Sequence, residues 1–400
     1  MRVNWFFKDV MGASRVTNAR RKLIASGDPT RPYADHPGAL AAELHPAWTR
    51  VRVAEVRDAS PTARFLTFVP VDGDVLPPFQ AGQYVSFELK VGPTKTTRPY
   101  SICSAPWQAR QGTDSFFEIC VRNGKPGVSF AANWLYGLVK VGDEFVAHLP
   151  YGQFFYEPLR DARHVVALAG GSGITPFLSM AREIAHGALD CDLTILYGSA
   201  SASDIIARKE LEAVCGERVH LVNVLSGDDE TWDGERGFLS ADLIKKYSPA
   251  DPASGAVSYF VCGPQAMYEF VRGELDKLGV PVRRVRMEVF GAPRDITKAA
   301  GYPGASARMF SLTVRRGLRE DRFMARANEP LLVALERAGV LVDSRCRSGA
   351  CGACRVRLVE GEVFVPETGD GRRWADKKFG YVHSCSTWPL SDCTIEVIIK

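Results

Sequence analysis

Three cysteines near the C-terminus have a spacing that suits metal chemistry. Cys346, Cys351 and Cys354 follow the order C-x4-C-x2-C in the segment DSRCRSGACGACRVRL. Three thiolates at this spacing are typical of the ligands of a [2Fe–2S] cluster. Such a cluster needs two protein ligands on each iron, so a fourth thiolate must come from elsewhere in the chain.

Two downstream cysteines, Cys385 and Cys393, are candidates for the fourth ligand. Cys393 alternates with Ile395 and Val397 in DCTIEVIIK, so it shares one face of a predicted strand with apolar residues. We therefore predict that Cys393 is a small core residue. Cys385 lies in the turn-like GYVHSCS and is free to reach the cluster, so we predict that Cys385 is the fourth ligand.

The loop around these cysteines is rich in small residues. Gly349 and Gly352, with Ser348, Ala350 and Ala353, would allow backbone N–H groups to approach cluster sulfides. A structural zinc site is the alternative, because four cysteines can also bind zinc. Zinc modules usually pair their ligands in two short CxxC-like units, which disfavours zinc for three ligands in one loop.

The segment from Ser344 to Cys354 resembles the cluster loop of plant-type ferredoxins. This resemblance implies a ferredoxin domain of the α+β, β-grasp type over residues 308–400. The strand FSLTVRR and the helix EPLLVALERAG precede the loop.

Composition limits the class of protein. The chain has 400 residues, 46% of them hydrophobic and 24% charged, which predicts two to four globular domains. No apolar run approaches the ~20 residues of a membrane helix, and the N-terminus lacks the features of a signal peptide. The ten cysteines are predicted to be thiols or cluster ligands in a cytoplasmic protein. The net charge of +4 is too small to indicate a nucleic-acid partner.

Residues 1–47 form an N-terminal extension with seven Lys/Arg against four Asp/Glu. Its aromatic residues and basic run are compatible with a docking or interfacial helix. An arm that packs on its own protein is favoured, because a few aromatics beside basic residues are weak support for a membrane surface.

Short alternating runs with Gly, Pro and Asp turns fill residues 48–158 and predict an antiparallel β-barrel. The tetrapeptide RPYS places Arg98 and Tyr100 on one face of a strand and Ser101 on the other. A cation and an aromatic plane on one face can address one long ligand. An ordinary amphipathic strand is the alternative for RPYS alone.

A predicted helix begins about 25 residues later at Gly127, Val128 and Ser129, where free N–H groups would bind phosphate. Together the two motifs resemble the flavin domain of the ferredoxin–NADP reductase superfamily. The resemblance implies that Arg98, with its neighbour Pro99, and the segment 127–129 hold a pyrophosphate. It also implies that Tyr100 stacks on the isoalloxazine and that Ser101 hydrogen-bonds near flavin N5. FAD is favoured over FMN because this helix start suits a diphosphate.

Strands and helices alternate over residues 159–290, which predicts an α/β domain with a parallel sheet. The strand HVVALAG leads into GGSGITP and a helix, with Thr175 as the predicted N-cap. This turn lacks the G-x-G-x-x-G fingerprint but resembles the nicotinamide-dinucleotide motif of the same superfamily. The resemblance implies that these residues face the cofactor: Gly170, Gly171, Ser172, Gly173, Ile174, Thr175 and Pro176.

A second hydrophobic strand ends at Cys262, Gly263 and Pro264, and ligands bind at strand carboxyl ends in open α/β sheets. The resemblance implies that this Cys-Gly-Pro borders the nicotinamide and that Phe290 packs near the flavin or nicotinamide. A core thiol is the alternative for Cys262. NADH is favoured over NADPH because no arginine directly follows Tyr197-Gly198, although Arg208 could reach a phosphate.

Residues 291–307 have the composition of a linker. The domain order resembles the reductase components of multicomponent oxygenases and desaturases. It implies an NAD(P)H-dependent oxidoreductase in which the flavin converts a hydride into single electrons, with Tyr100, Ser101 and Cys262 as catalytic residues. The electrons would pass through the cluster to a separate terminal oxygenase, hydroxylase or desaturase. An electron-transfer subunit of a larger redox complex and a non-turnover redox-sensing module are the alternatives.

Overall fold

The computed structural model describes residues 3–27, 36–125, 129–293, 295–304, 308–367 and 369–397, with the side chains of residues 3–7 outside that description. The chain forms two compact units, Met1–Leu44 and His45–Lys400. The first unit contains the helices α1 Val3–Ala25 and α2 His36–Leu44. Every described side chain of α1, from Lys8 onward, is exposed. Whether the extension docks on another surface or packs as an arm stays a prediction.

A six-stranded antiparallel sheet opens the second unit, and its order is β4-β3-β6-β1-β2-β5. In β1, Val51 and Val53 point into the core and alternate with more exposed residues, as expected for a sheet with one buried face. Phe68 packs against Phe87 and Phe117, with ring centroids 4.9 and 5.2 Å apart. The elements are β1 Thr49–Ser60, β2 Ala63–Pro70, β3 Tyr84–Val91, β4 Thr94–Ser101, β5 Phe117–Arg122, helix α3 Phe130–Leu138 and β6 Glu144–Tyr151.

A six-stranded parallel sheet follows, with the order β10-β9-β8-β7-β11-β12. Its central strands are buried along nearly their whole length, which is why their sequences are continuously apolar. The chain leaves β7 for β8 on one side, whereas β11 lies on the other, so a crevice opens at the carboxyl ends of β7 and β11. The elements are β7 His164–Gly170, α4 Thr175–Ala185, β8 Asp192–Ser199, α5 Arg208–Val214, β9 Val219–Leu225, β10 Glu235–Arg236, α6 Ala241–Tyr247, β11 Val257–Cys262, α7 Gln265–Lys277 and β12 Val285–Glu288.

The C-terminal part contains a five-stranded mixed sheet of order β14-β13-β19-β15-β17 and a two-stranded sheet of β16 and β18. Leu331, Leu335 and Val356 are fully buried in its core. The cysteine loop lies between α8 and β15. The elements are β13 Met309–Arg316, β14 Arg319–Arg326, α8 Leu331–Arg337, β15 Arg355–Glu360, β16 Val363–Phe364, α9 Trp374–Lys378, β17 Tyr381–His383, β18 Trp388–Pro389 and β19 Cys393–Val397.

The predicted linker is packed in its described part. Ile296 is buried, and the Tyr302 hydroxyl donates a hydrogen bond to the Ala327 carbonyl over 3.0 Å. The three sheets follow the chain in the predicted order, antiparallel, parallel and mixed. Within the described residues, no helix has the length and apolar character needed to cross a membrane.

Candidate functional site

The four predicted cluster cysteines come together as two thiol pairs. The Cys351 thiol hydrogen-bonds Cys346 and lowers the pKa of Cys346 to about 5. The Cys385 thiol does the same for Cys354, whose pKa is also lowered. Two pairs match two irons with two thiolates each. The separation into two pairs favours the cluster over a single zinc ion, which would gather four ligands around one position.

The loop backbone donates to these sulfurs. The Gly349 N–H lies 3.2 Å from Cys385 Sγ, and the Cys351 N–H lies 3.4 Å from Cys346 Sγ. Gly349 has a φ of +84°, and a Cβ there would lie 2.4 Å from the Ser386 hydroxyl, so only glycine fits. The donor set and the turned-in backbone fit a [2Fe–2S] cluster.

Cys393 lies apart from these pairs on β19. Its thiol donates hydrogen bonds to the carbonyls of Glu362 and Ser391, at 3.4 and 3.2 Å. It packs in the core with Leu312 and Ile395. The structure therefore places Cys393 in the position predicted for it.

Beside the cluster loop is a cavity of about 470 Å³. Five parts of the chain form its wall: β4, the start of α3, the residues after β12, α8 with the residue before it, and the cysteine loop with Cys385. The predicted flavin residues Arg98, Pro99, Tyr100, Ser129 and Phe290 line it together with Arg347 and Cys385. Gly127 and Val128 lie outside the described residues.

The cavity wall carries an excess of positive charge. The Arg347 guanidinium binds both carboxylate oxygens of Glu336, at 2.6 and 2.9 Å, and Arg98 lies 3.9 Å from the same carboxylate. Burial, followed by the neighbouring Arg347, lowers the pKa of Arg98 to about 10. Two guanidinium groups against one carboxylate fit an anionic group such as a flavin phosphate.

Ser101 meets a buried carboxyl that was not among the predicted site residues. The Ser101 hydroxyl donates to Glu288 Oε2 over 3.2 Å. Glu288 is buried, and this burial raises its pKa to about 8. Phe290 lies edge-on to Tyr84, with ring centroids 5.3 Å apart. No motif signals the pair, because Ser101 and Glu288 are 187 residues apart.

The predicted dinucleotide residues meet at the crevice between β7 and β11. A Cβ on Gly173 would lie 2.2 Å from the Cys262 carbonyl, and a Cβ on Gly170 would lie 2.9 Å from Pro264. The two turns therefore pack together only because glycines occupy these positions. The predicted N-cap was wrong, because Thr175 is the first residue of α4 and its hydroxyl donates to the Ser172 carbonyl over 3.0 Å. A 3₁₀ turn, Gly171–Ile174, continues directly into the helix and replaces a capped start.

Arg122, at the end of β5, belongs to none of the predicted motifs. Its Nη1 lies 2.8 Å from the position that a Cβ on Gly171 would occupy. Asp204 and Thr62 hold its guanidinium at 2.8 and 3.3 Å. The structure thus brings a cation onto the glycine-rich turn from a different sheet.

Comparisons with known proteins assign two parts of the chain to domain families. The oxidoreductase NAD-binding domain family matches residues 167–273, and the 2Fe-2S iron-sulfur cluster binding domain family matches residues 318–390. The glycine betaine monooxygenase reductase subunit of Chromohalobacter salexigens is 30% identical over 370 residues, covering 87% of this chain and 96% of the relative. The carnitine monooxygenase reductase subunit of Escherichia coli is 29% identical over 318 residues, covering 78% and 87%.

Among solved structures, phthalate dioxygenase reductase aligns with a TM-score of 0.60 and 23% identity, covering 88% of this chain and 98% of that one. Its fold is described as a modular structure for electron transfer from pyridine nucleotides to [2Fe–2S].

The fold and the site define a pyridine-nucleotide oxidoreductase with flavin and iron–sulfur modules. The chain belongs to the family of reductase subunits in which ferredoxin–NADP reductase-like domains precede a C-terminal [2Fe–2S] domain. The predicted family, the predicted class of enzyme and the predicted cofactor set of flavin, pyridine nucleotide and [2Fe–2S] cluster are confirmed.

Proposed function

We propose that this reductase takes hydride from NAD(P)H and delivers single electrons through its [2Fe–2S] cluster to a separate terminal oxygenase, hydroxylase or desaturase. The observation that carries the proposal is the cavity of about 470 Å³, whose wall contains both the RPYS residues of β4 and the cluster cysteine Cys385. The relatives are reductase subunits of monooxygenases, which supports an oxygenase as the acceptor.

We infer the finer architecture from sheet contacts. Ile102, just after β4, pairs with Ile119 of β5, and these are the two edge strands of the antiparallel sheet. This bridge supports a closed β-barrel, because it joins the edges. In the C-terminal sheet, α8 packs across mixed strands, which supports a β-grasp domain. The boundaries at residues 48, 159, 291 and 308 stay predictions, as does a cytoplasmic location.

The flavin residues have distinct proposed roles. Arg98 would hold the phosphates, with residues 127–129 opposite, and Pro99 and Tyr100 would form the wall against the ring. A bound flavin supplies the exchange between a two-electron hydride and one-electron transfer. Burial keeps the Glu288 carboxyl protonated up to about pH 8, and the Ser101 hydroxyl positions this carboxyl by donating to Glu288 Oε2. FAD is proposed over FMN on the sequence argument alone.

The residues Gly170 to Pro176 and Cys262 to Pro264 would bind the pyridine nucleotide at the crevice between β7 and β11. Burial raises the pKa of the Cys262 thiol well above its ordinary value, so Cys262 presents a neutral group to the nicotinamide. Phe290 would pack near the flavin ring. Arg208 donates a hydrogen bond to Glu212 over 2.8 Å. Because this pairing occupies the guanidinium that could bind the additional phosphate of NADPH, it supports NADH as the cofactor.

We expect Arg122→Ala to raise the KM for NADH about tenfold with little change in kcat, because the guanidinium would lose a charge-assisted contact with the pyrophosphate. Steady-state kinetics with ferricyanide as acceptor measures this. Arg163→Ala is the matched control, since Arg163 lies at the opposite end of the parallel sheet, paired with Asp190 and Asp192. An unchanged KM in Arg122→Ala would contradict the assignment.

We expect the rate of flavin reduction by NADH to fall as pH rises through about 8, and Glu288→Gln to remove this dependence. Between pH 4.5, the ordinary pKa of a glutamate, and about pH 8, Glu288 is protonated in the folded protein and ionised in the unfolded chain. Stability should therefore also fall as pH rises through this window, and the substitution should remove that slope. Stopped-flow absorbance and denaturation midpoints across this pH range measure both effects. Glu212→Gln, an exposed carboxyl, serves as the control.

Anaerobic mixing with NADH or NADPH tests the proposed function. Flavin absorbance should bleach first and cluster absorbance second, and added cytochrome c should reoxidise both. A large preference for NADPH would reverse the choice of nucleotide. Size-exclusion of the native assembly separates a free reductase from a fixed subunit of a larger complex. Absence of turnover in protein fully loaded with flavin and cluster would leave only the redox-sensing alternative.

A further inference from the structure

A surface segment, residues 369–379, lies directly against the cysteine loop. A Cβ on Gly371 would lie 2.7 Å from Ala350 Cα and 2.6 Å from the Gly349 carbonyl oxygen. Ala350 immediately precedes Cys351. The three residue-to-residue steps from Gly371 to Trp374 span at most about 10 Å, so α9 begins close to the loop.

A buried histidine lies between α9 and the same loop. His383 Nδ1 hydrogen-bonds the Gly349 carbonyl, and His383 Nε2 lies 3.9 Å from the Asp376 carboxylate of α9. Asp376 is itself held by Arg355 at 3.0 Å. The segment therefore has a defined position next to the cysteine loop.

The loop is open to solvent at one cysteine. Cys351 is exposed, whereas Cys346, Cys354 and Cys385 are buried. Trp374, the first residue of α9, is 73% exposed, and Phe379, directly after α9, is 59% exposed. The Lys378 ammonium lies over both rings, 4.8 Å from the Trp374 centroid and 5.6 Å from that of Phe379. Large aromatic rings beside cations are typical of interface hot spots.

The charged side chains of residues 369–379 differ in exposure. The four cations are Arg372, Arg373, Lys377 and Lys378, and the two carboxylates are Asp370 and Asp376. Both carboxylates are largely covered, with the Asp370 and Asp376 side chains 12% and 4% exposed. Asp370 pairs with Lys377 at 2.9 Å and Asp376 with Arg373 at 3.3 Å, so four cations stand against two covered carboxylates. Arg373, Lys377 and Lys378 are exposed. The face presented to a partner is therefore positive.

We propose that Cys351, Arg373, Trp374, Lys377, Lys378 and Phe379 form an exit surface that docks the electron acceptor. The partner is a protein whose electron-accepting centre is ringed by carboxylates around an apolar recess for Trp374. Charge complementarity identifies it, because a positive face beside an open redox centre steers and orients an acidic partner. The inference rests on the proposed function, since it assumes that electrons leave from the cluster.

Each docking event moves one electron and no atom or proton. A cluster held by Cys346, Cys351, Cys354 and Cys385 would supply this one electron, and the metal centre of the acceptor would take it up. An exit at Cys351 suits this transfer, because a protein acceptor can approach the exposed thiolate and cannot approach the three buried ones.

Two haem proteins of opposite charge, acidic cytochrome b5 and basic cytochrome c, serve as probe acceptors. We expect transfer to cytochrome b5 to slow with added salt. The double charge reversal Lys377→Glu/Lys378→Glu should slow it by about tenfold at low salt and speed transfer to cytochrome c. Trp374→Ala should weaken the binding of cytochrome b5 and raise its Kd about tenfold. Arg319→Glu is the control, because Arg319 is exposed on β14, the sheet edge opposite to β17.

Zero-length carbodiimide cross-linking gives a readout independent of turnover. Peptides that contain Lys377 or Lys378 should join to cytochrome b5 carboxylates, and the reversal variant should lose these products. NADH-driven bleaching of flavin and cluster in each variant keeps the two proposals apart. If NADH does not bleach the wild-type cluster, the proposed function fails.

If the cluster bleaches normally but both variants match Arg319→Glu in rate, Kd and cross-links, the exit surface is overturned. A wild-type dimer that Trp374→Ala dissociates would assign the surface to a second copy of this chain and would also overturn it.

Discussion

Cys385→Ser is expected to abolish the visible absorbance of the [2Fe–2S] cluster. Cys385 completes one of the two thiol pairs, its sulfur accepts the Gly349 N–H over 3.2 Å, and it is buried beside Cys354. A serine hydroxyl is a poorer iron ligand than a thiolate, so one iron would lose half of its protein ligands. Turnover from NADH to ferricyanide through the flavin should persist.

Cys393→Ser is the matched control, since Cys393 is also a buried C-terminal cysteine but bonds only backbone carbonyls. Its cluster spectrum should equal that of the wild type. Absorbance spectra and iron content of the purified variants decide the question. A bleached cluster in Cys393→Ser together with an intact one in Cys385→Ser would show that the ligand assignment is wrong.

Glu118→Ala is expected to lower the free energy of unfolding by about 3 kcal/mol, because it leaves the largely buried Arg182 guanidinium without a carboxylate and removes one of the two carboxylates that pair with Arg57. Glu118 lies on β5 and accepts from Arg57 at 2.8 Å and from Arg182 of α4 at 3.0 Å. The pair with Arg182 joins the antiparallel sheet to the helix that follows the glycine-rich turn. Hydride transfer from NADH should therefore slow as well.

Asp58→Ala provides the comparison, because Asp58 also pairs with an arginine, Arg64, but its side chain is 76% exposed. Exposed pairs contribute about 0–1 kcal/mol, so its denaturation midpoint should barely move. Chemical denaturation followed by circular dichroism measures both variants. Equal denaturation midpoints for the two variants would indicate that Glu118 does not stabilise the contact between the antiparallel sheet and α4.

Local pattern was sufficient for much of this chain. Period-two alternation predicted the strands before Pro158, continuous apolar runs predicted the buried parallel strands, and C-x4-C-x2-C predicted the thiol cluster. The prediction of Thr175 as an N-cap failed, because a 3₁₀ turn continues into α4 without a break. Such junctions depend on a few backbone angles that residue preferences hardly constrain.

The sequence by itself determined the order of the three sheets, the family resemblance and the candidate residues of each motif, since those features reside in neighbouring residues and their periodicity. Only the tertiary structure decided which distant groups meet. It brought Glu288 to Ser101, Arg122 to Gly171, and Arg347 to the wall that holds Arg98. It also covered the carboxylates of residues 369–379 and left exposed cations and rings near the cysteine loop, where Cys351 is open to solvent. The physical reason is that burial and charge pairing act between surfaces packed across the fold, and no spacing along the chain encodes them.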